Sequence, residues 1–257
     1  MTTALITGAS SGLGYEFALQ LAVLKFDLVL VARREDKLKS AAERALELGA
    51  PRVSIIAADL ACREAAEQTY LRAVAECGEI GYLVNNAGFG TRGRFDSLPL
   101  ERELEEIDLN VTALVALTRM CIPAMTARRS GVVINVASTA AFQPVPWMAT
   151  YGATKAFVLS FSEAVAEELR GTGVTIMALC PGPTRTEFQA VADTANARIS
   201  ASAYMDAATV VRQAIAAARA GKVVKINGAM NLLMAEASRV APRVLVRRIA
   251  GAMFKPK

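Results

Sequence analysis

The first two dozen residues constrain the fold most. The apolar run Thr3-Ala-Leu-Ile-Thr7 reads as a short buried strand, Gly8-Ala-Ser-Ser-Gly12-Leu-Gly14 as a tight turn, and residues 15–24 as a helix. Glycines in such a turn let the backbone approach a bound phosphate closely. The helix that follows presents free N–H groups and a positive dipole end. A plain strand-to-helix connection has the same order, so the rest of the chain has to decide.

The rest of the chain alternates. Strand-like runs over 26–32, 52–58, 82–85, 131–137 and 173–179 are separated by helical patterns over 35–48, 63–77, 101–128 and 150–170. Near-continuous apolar strands between helices predict an α/β fold. Its sheet is a doubly wound, parallel, Rossmann-type sheet with helices on both faces. No linker of Pro, Gly and Ser divides the 257 residues. One domain is therefore assigned to 1–227, and 228–257 is set apart as a basic extension. Ligands of such sheets sit at the carboxyl ends of the strands, where Gly8, Asp59 and Asn86-Ala87-Gly88 fall.

Composition then excludes whole classes of chemistry. The chain has no histidine. That removes Ser-His-Asp triads, Cys-His pairs and His-ligated zinc, and leaves acid–base work to Tyr, Lys and carboxylates. No metal site is expected. Cys62, Cys77, Cys121 and Cys180 are scattered and read as free thiols. No uninterrupted apolar stretch approaches the ~18 residues that span a bilayer. A strand starting at residue 3 leaves no room for a signal peptide, so the expected compartment is the cytoplasm.

Two features address the ligand. In dinucleotide folds an acid about 20 positions past the glycine turn holds a ribose 2′-hydroxyl. Here Ala32 ends the second strand and Arg33 and Arg34 follow. Guanidinium forks suit a phosphate, which favours the 2′-phosphate of NADP over NAD, with Arg33 the leading residue. Asp59 would meet an adenine amine or simply cap the next helix. The second feature is Tyr151 and Lys155, four apart on one helix face. A phenol titrates near 10. An ammonium about 4 Å away favours the phenolate by roughly 4 kcal/mol at an effective dielectric near 20. That is up to about 3 units, enough to bring the phenol to pH 7–8.

Together these pieces resemble the short, single-domain branch of the short-chain dehydrogenase/reductase family. The resemblance runs from Thr3 to about residue 226. It rests on Thr7-Gly8-Ala-Ser-Ser-Gly12-Leu-Gly14, Asn85-Asn-Ala-Gly88, Asn110, Ser138, Tyr151-Gly-Ala-Thr-Lys155 and Pro181-Gly182. It implies a seven-stranded parallel sheet and a nicotinamide cofactor. It makes Tyr151 the acid in carbonyl reduction and the base in alcohol oxidation. Lys155 would lower its pKa and hold the nicotinamide ribose, Ser138 would hold the substrate oxygen, and Asn110 a water relaying protons toward Lys155. Gly8, Ser10, Ser11, Gly12, Leu13 and Gly14 would line the pyrophosphate and adenosine. Asp59 and Leu60 would meet the adenine, Asn86, Ala87 and Gly88 its ribose, and Pro181, Gly182 and Thr184 the nicotinamide. Many NADP-preferring members carry a basic residue where Ser11 stands, so NADP(H) is the expected cofactor with NAD(H) as the second. The family often pairs its two long helices into homodimers or homotetramers.

The resemblance implies an NADP(H)-dependent oxidoreductase acting on a carbonyl or secondary alcohol. Phe142, Pro144, Pro146, Trp147 and Phe188 suggest an apolar substrate, or else pack in the core. A lid is expected over about 185–205. The rivals are a non-catalytic dinucleotide sensor and a membrane-surface adaptor. In 228–257, Arg239, Arg243, Arg247, Arg248, Lys255 and Lys257 oppose Glu236 alone, which matches the whole chain's formal excess of +5. The body is therefore neutral and no nucleic-acid partner is expected. Arg239, Arg243 and Arg247 recur every four residues among apolar neighbours, and Pro242 must start or kink a helix. Such a segment packs on the body or on another subunit, lies on an anionic membrane, or stays disordered.

Overall fold

A computed structural model describes residues 2–192 and 203–255. Seven parallel strands form one sheet: β1 (Thr3–Thr7), β2 (Asp27–Ala32), β3 (Val53–Ala57), β4 (Ile80–Asn85), β5 (Gly131–Val136), β6 (Val174–Cys180) and β7 (Val224–Ile226). Their order is β3-β2-β1-β4-β5-β6-β7. Leu5 stands opposite Val29 of β2 and Leu83 of β4. Successive side chains point to opposite faces. Ala4 and Ile6 accordingly join the core under α1 (Gly12–Val23), α2 (Glu35–Glu47) and α8 (Ala207–Arg219). Leu5 joins the core under α3 (Ala65–Cys77) and α5 (Ala113–Ala127). The strands are apolar on both faces because both are covered.

The long helix expected over 101–128 is α4 (Leu100–Ile107) running into α5 through a π turn, Asp108–Thr112. By length and composition it could cross a membrane. It nevertheless buries Glu103, Glu106 and Asn110 within the domain, as a core helix does. α6 (Ala149–Glu168) packs beside it. Residues 139–142 form a 3₁₀ turn. After β6 come the short α7 (Phe188–Val191) and, beyond β7, α9 (Ala229–Val240) and α10 (Arg243–Phe254). Pro242 starts α10 rather than kinking a helix. The centre of the expected lid, 193–202, lies outside the described residues.

Strand order reverses between β1 and β4, and there the sheet opens a crevice at its carboxyl edge. Its floor is sealed by side chains from the two strands. Thr7 Oγ1 accepts the N–H groups of Asn86 and Ala87, both at 3.0 Å, and Asn86 Nδ2 donates to Thr7 O at 2.9 Å. Gly8 has φ +67, in the left-handed region that favours glycine. A Cβ on Gly14 would lie 2.3 Å from Gly8 O and 2.5 Å from Asn86 Nδ2.

A second buried chain ties the strands behind the crevice to their helices. Asn85 Nδ2 donates to Thr118 Oγ1 and Asn135 Oδ1, both at 2.9 Å, and Asn135 Nδ2 donates to Ser162 Oγ at 3.0 Å. Removing a member strands buried donors at a cost of about 1–3 kcal/mol. Asn135→Ala should therefore lower unfolding stability by that amount in urea titration, with the slope unchanged. A change below about 0.5 kcal/mol would show that this chain carries no stability.

Candidate active site

The crevice has a volume of about 630 Å³. Of the expected site residues, all but Gly14 and Asn110 line it. Gly14 lies beneath the turn, and Asn110 stands beside Gly88 and Lys155. Ser11 caps α1 without a side-chain hydrogen bond to it, so the first N–H groups of the helix have no side-chain cap. With the missing Cβ atoms at Gly8 and Gly14, that cradle fits a dinucleotide pyrophosphate.

At the adenosine end the two arginines part. Arg33 reaches Asp59 at 3.7 Å. Arg34, taken as the lesser of the pair, folds over the glycine turn. One of its nitrogens stands 3.2 Å from Ser10 Oγ, 3.2 Å from Ser11 Oγ and 2.8 Å from Glu187 Oε2. The basic group missing at Ser11 is thus supplied from the end of β2. Glu187 is held below the usual carboxylate range, first by its bond to Arg34. Asp59 accepts from the N–H of Ala61 at 3.1 Å in a turn ahead of α3, whose cap is Glu64, so it does not cap that helix.

The other end gathers the polar groups. Asn110 sits in the π turn of the long helix, a distortion frequent at functional sites. Its side chain donates to Phe89 O at 2.9 Å and Thr154 Oγ1 at 3.1 Å, and accepts from the N–H of Phe89 at 3.2 Å. A Cβ at Gly88 would lie 2.7 Å from Asn110 Oδ1 and 3.4 Å from Lys155 Nζ, so the two converge on that glycine. Lys155 Nζ donates to Val136 O at 2.9 Å. Ser138 starts the 3₁₀ turn, accepting from the N–H of Ala140 at 3.1 Å, and its hydroxyl acts on the Tyr151 phenol.

The expectation that spacing alone brings Tyr151 to pH 7–8 is not met. Burial pushes Tyr151 up to about 12, against a smaller lowering by Ser138. Burial takes Lys155 down to about 8, with Glu106 pulling the other way. The amine is held by a backbone carbonyl, 5.8 Å from the tyrosine ring centroid, and desolvation outweighs its attraction for a phenolate.

The sequence reading missed several lining residues. Thr186 packs against Gly12, 3.1 Å from where a Cβ would stand. Phe188, one of the apolar residues expected there, lies with its ring centroid 5.3 Å from that of Tyr151. Met234, Ala235, Ser238, Met253 and Phe254 of the C-terminal helices complete the wall. Those helices are pinned to the loops around the pocket. Arg92 donates to Phe254 O at 2.8 Å, Trp147 to Gly251 O at 3.0 Å, and Ser238 to Phe142 O at 3.1 Å. Of the readings open for 228–257, packing on the body is the one seen. Nothing local in the sequence distinguished these contacts.

A family model described as short chain dehydrogenase matches residues 2–197. The chain belongs to the short-chain dehydrogenase family. It is 32% identical to a short-chain dehydrogenase from Sphingobium yanoikuyae in complex with NADPH, with a TM-score of 0.81 over 93% of this chain and 94% of that one. It is 30% identical to the bulky-bulky ketone specific alcohol dehydrogenase from Comamonas testosteroni, with a TM-score of 0.79 over 93% and 92%. It is 35% identical over 179 residues to a very-long-chain 3-oxoacyl-CoA reductase of Pyrenophora tritici-repentis, a match to 68% of this chain and 52% of that protein. The chain spans roughly half to two thirds of the length of such curated relatives.

The cradle generates a direct test. In Gly14→Ala the new methyl meets backbone atoms that cannot swing aside. Calorimetry should find dinucleotide affinity reduced at least about tenfold, about 1.4 kcal/mol, with the circular dichroism spectrum kept. Unchanged affinity would place the pyrophosphate elsewhere.

Proposed function

We propose that the protein reduces the carbonyl of a bulky, largely apolar substrate with NADPH, or runs the reverse oxidation. The observation that carries this is the two-ended crevice. Arg33 and Arg34 stand at one end, and Ser138, Tyr151, Lys155 and Asn110 at the other. When bound, the nicotinamide supplies or takes the hydride. Ser138 and Tyr151 hold the substrate oxygen, and as negative charge develops on it Tyr151 delivers its proton. A phenol pushed to about 12 keeps that proton at neutral pH, which suits the reductive direction. Lys155 would hold the nicotinamide ribose, and Asn110, anchored by Phe89 and Thr154, would hold the water that refills the relay. Asn86, Ala87 and Gly88 would back the adenosine ribose, with Pro181, Gly182 and Thr184 on the nicotinamide side. Phe142, Val145, Met148, Phe188, Met234 and Phe254 supply an apolar wall that favours bulk over small charged ketones. Paired acid–base residues with an open apolar pocket argue against a non-catalytic sensor.

Arg34 over the glycine turn, with Arg33 beside it, favours the 2′-phosphate. In thermal-shift assays NADPH and NADP⁺ should stabilise the protein more than NADH and NAD⁺. Arg34→Ala should cut NADPH affinity at least about tenfold, and Arg33→Ala less. Equal response to both pairs would remove the NADP preference. With bulky ketones, Tyr151→Phe should reduce NADPH consumption by at least about a hundredfold, the scale of a lost proton donor.

A second reading concerns where the enzyme works. The outer faces of α9 and α10 expose Leu233, Val240, Val244, Leu245 and Ile249 beside Arg239, Arg243, Arg247 and Arg248. Apolar and basic groups interleaved on the exposed sides of the two helices suit an anionic membrane. The free thiols fit a reducing compartment, so the proposed place is the cytoplasmic side of such a membrane. Leu104, Ile107 and Phe157, exposed on the two long helices, fit a proposed homodimer or homotetramer. Full-length protein should co-sediment with vesicles containing phosphatidylserine and lose this with Arg243, Arg247 and Arg248 changed to Glu. Equal sedimentation of both forms would rule the surface out.

A further inference from the structure

Beside the site lies a buried acidic cluster that the reaction as described does not use. Glu103 and Glu106 both come from the α4 segment, and Glu106 stands one turn before Asn110. Glu106 is fully buried and Glu103 nearly so. Thr91, in the loop after β4, holds both. Its hydroxyl lies 2.5 Å from Glu103 Oε1 and 2.8 Å from Glu106 Oε2, and its N–H donates to the same Glu106 oxygen at 2.9 Å. The Thr150 hydroxyl, next to Tyr151, donates to Glu103 Oε2. Glu106 Oε1 has no partner among the described residues.

Counting protons decides how this cluster is charged. A threonine hydroxyl carries one proton and can donate to only one of two carboxylates. With two carboxyl oxygens against Thr91 Oγ1, one of them must itself bear a proton and donate. Glu103 already accepts from Thr150, which leaves Glu106 as the donor to Thr91 Oγ1. The proton then runs from Glu106 Oε2 to Thr91 Oγ1, and the Thr91 proton points to Glu103. No bond other than these hydrogen bonds is involved. The groups that face Glu106 are few: Glu103 on its own helix, Thr91 on the loop, and Lys155 and Tyr151 on α6. Arg102 is turned away, over the Phe89 ring and paired with Glu105.

We propose that Glu106 is a positioning residue for the proposed reaction: a buried, titrating counter-charge that keeps Lys155 protonated as the pH rises. This rests on the functional reading given for Lys155 and Tyr151. Burial raises Glu106 to about 7, just below Lys155 at about 8. Glu106 therefore becomes an anion in the range where a buried ammonium would begin to lose its proton. Its charge supports Lys155 and raises Tyr151, so both hold their protons to higher pH. The Thr91 and Thr150 bonds make the same cluster a clamp between the loop carrying Gly88 and the start of the catalytic helix.

The decisive variant is Glu106→Gln in the full-length protein. Its amide still accepts the Thr91 N–H but cannot ionise. The folded pKa of Glu106 lies above its ordinary value of 4.5, so wild type loses stability as pH rises through about 7. The Tm of Glu106→Gln minus that of wild type should therefore grow from pH 4.5 to about pH 7 and level off above it. At pH 8.5, Lys155→Met should lower Tm more in wild type than in Glu106→Gln, because the pair is coupled. Neither reading needs activity. With an active ketone, the alkaline limb of kcat/KM for reduction should move down by about one pH unit in Glu106→Gln, the scale of one nearby charge. Additive Tm effects, or a Tm difference independent of pH, would overturn the proposal whether or not a substrate is found. An unmoved alkaline limb in an active enzyme would overturn it as well. If the Tm results hold and no carbonyl is reduced, the coupling stands and the functional reading fails.

Discussion

The reversal of strand order between β1 and β4 governs the rest of the structure. Connections from β1 lead to one side of the sheet and those from β4 to the other, so no helix can cover the carboxyl edge between them. The gap has to be floored by the strand ends themselves. Thr7 does this with three hydrogen bonds at the switch point, two from Asn86 and one from the N–H of Ala87. The backbone turns that leave it must then lie almost in contact, which Gly8 and Gly14 permit. A phosphate cradle is thus the by-product of closing a parallel sheet tightly, and the helix α1 that begins there contributes its open N–H groups.

The same geometry explains what the sequence made legible. The glycine turn, Asn86-Ala87-Gly88 and the Tyr151/Lys155 pair are local patterns at fixed offsets, and each falls at the end of a strand or on one helix face. A parallel sheet with its ligand at the carboxyl edge follows from the alternation of strands and helices; the order of the strands comes from the structure. What failed to show depended on direction or on distant contact. Arg33 and Arg34 are consecutive at a strand end, so their side chains diverge. Only the fold decides that Arg34 bends back over Ser10 and Ser11 while Arg33 goes to Asp59. Glu103 and Glu106 stand among Glu101 and Glu105 in a run that reads as a solvated face. Their burial comes from Thr91 and Thr150, 12 and 47 residues from Glu103. The C-terminal helices read as an appendage, and the contacts of Arg92, Trp147 and Ser238 make them a wall of the pocket.

Burial also sets the chemistry of the site in a way that spacing cannot. Enclosing a phenol and an ammonium together disfavours the charged form of each, so Tyr151 rises to about 12 and Lys155 falls to about 8. A neutral phenol is the acid that reduction needs, but a neutral amine beside it is the wrong state for stabilising an alkoxide. Charge has to be restored from outside the pair. Val136 O fixes the amine, Ser138 lowers the phenol, and Glu106 supports the ammonium. The water-excluding pocket that strengthens each of these interactions is also what makes them necessary. A polar cluster buried behind an apolar substrate wall is then a requirement of the chemistry, because an apolar shell alone would leave the lysine without its proton.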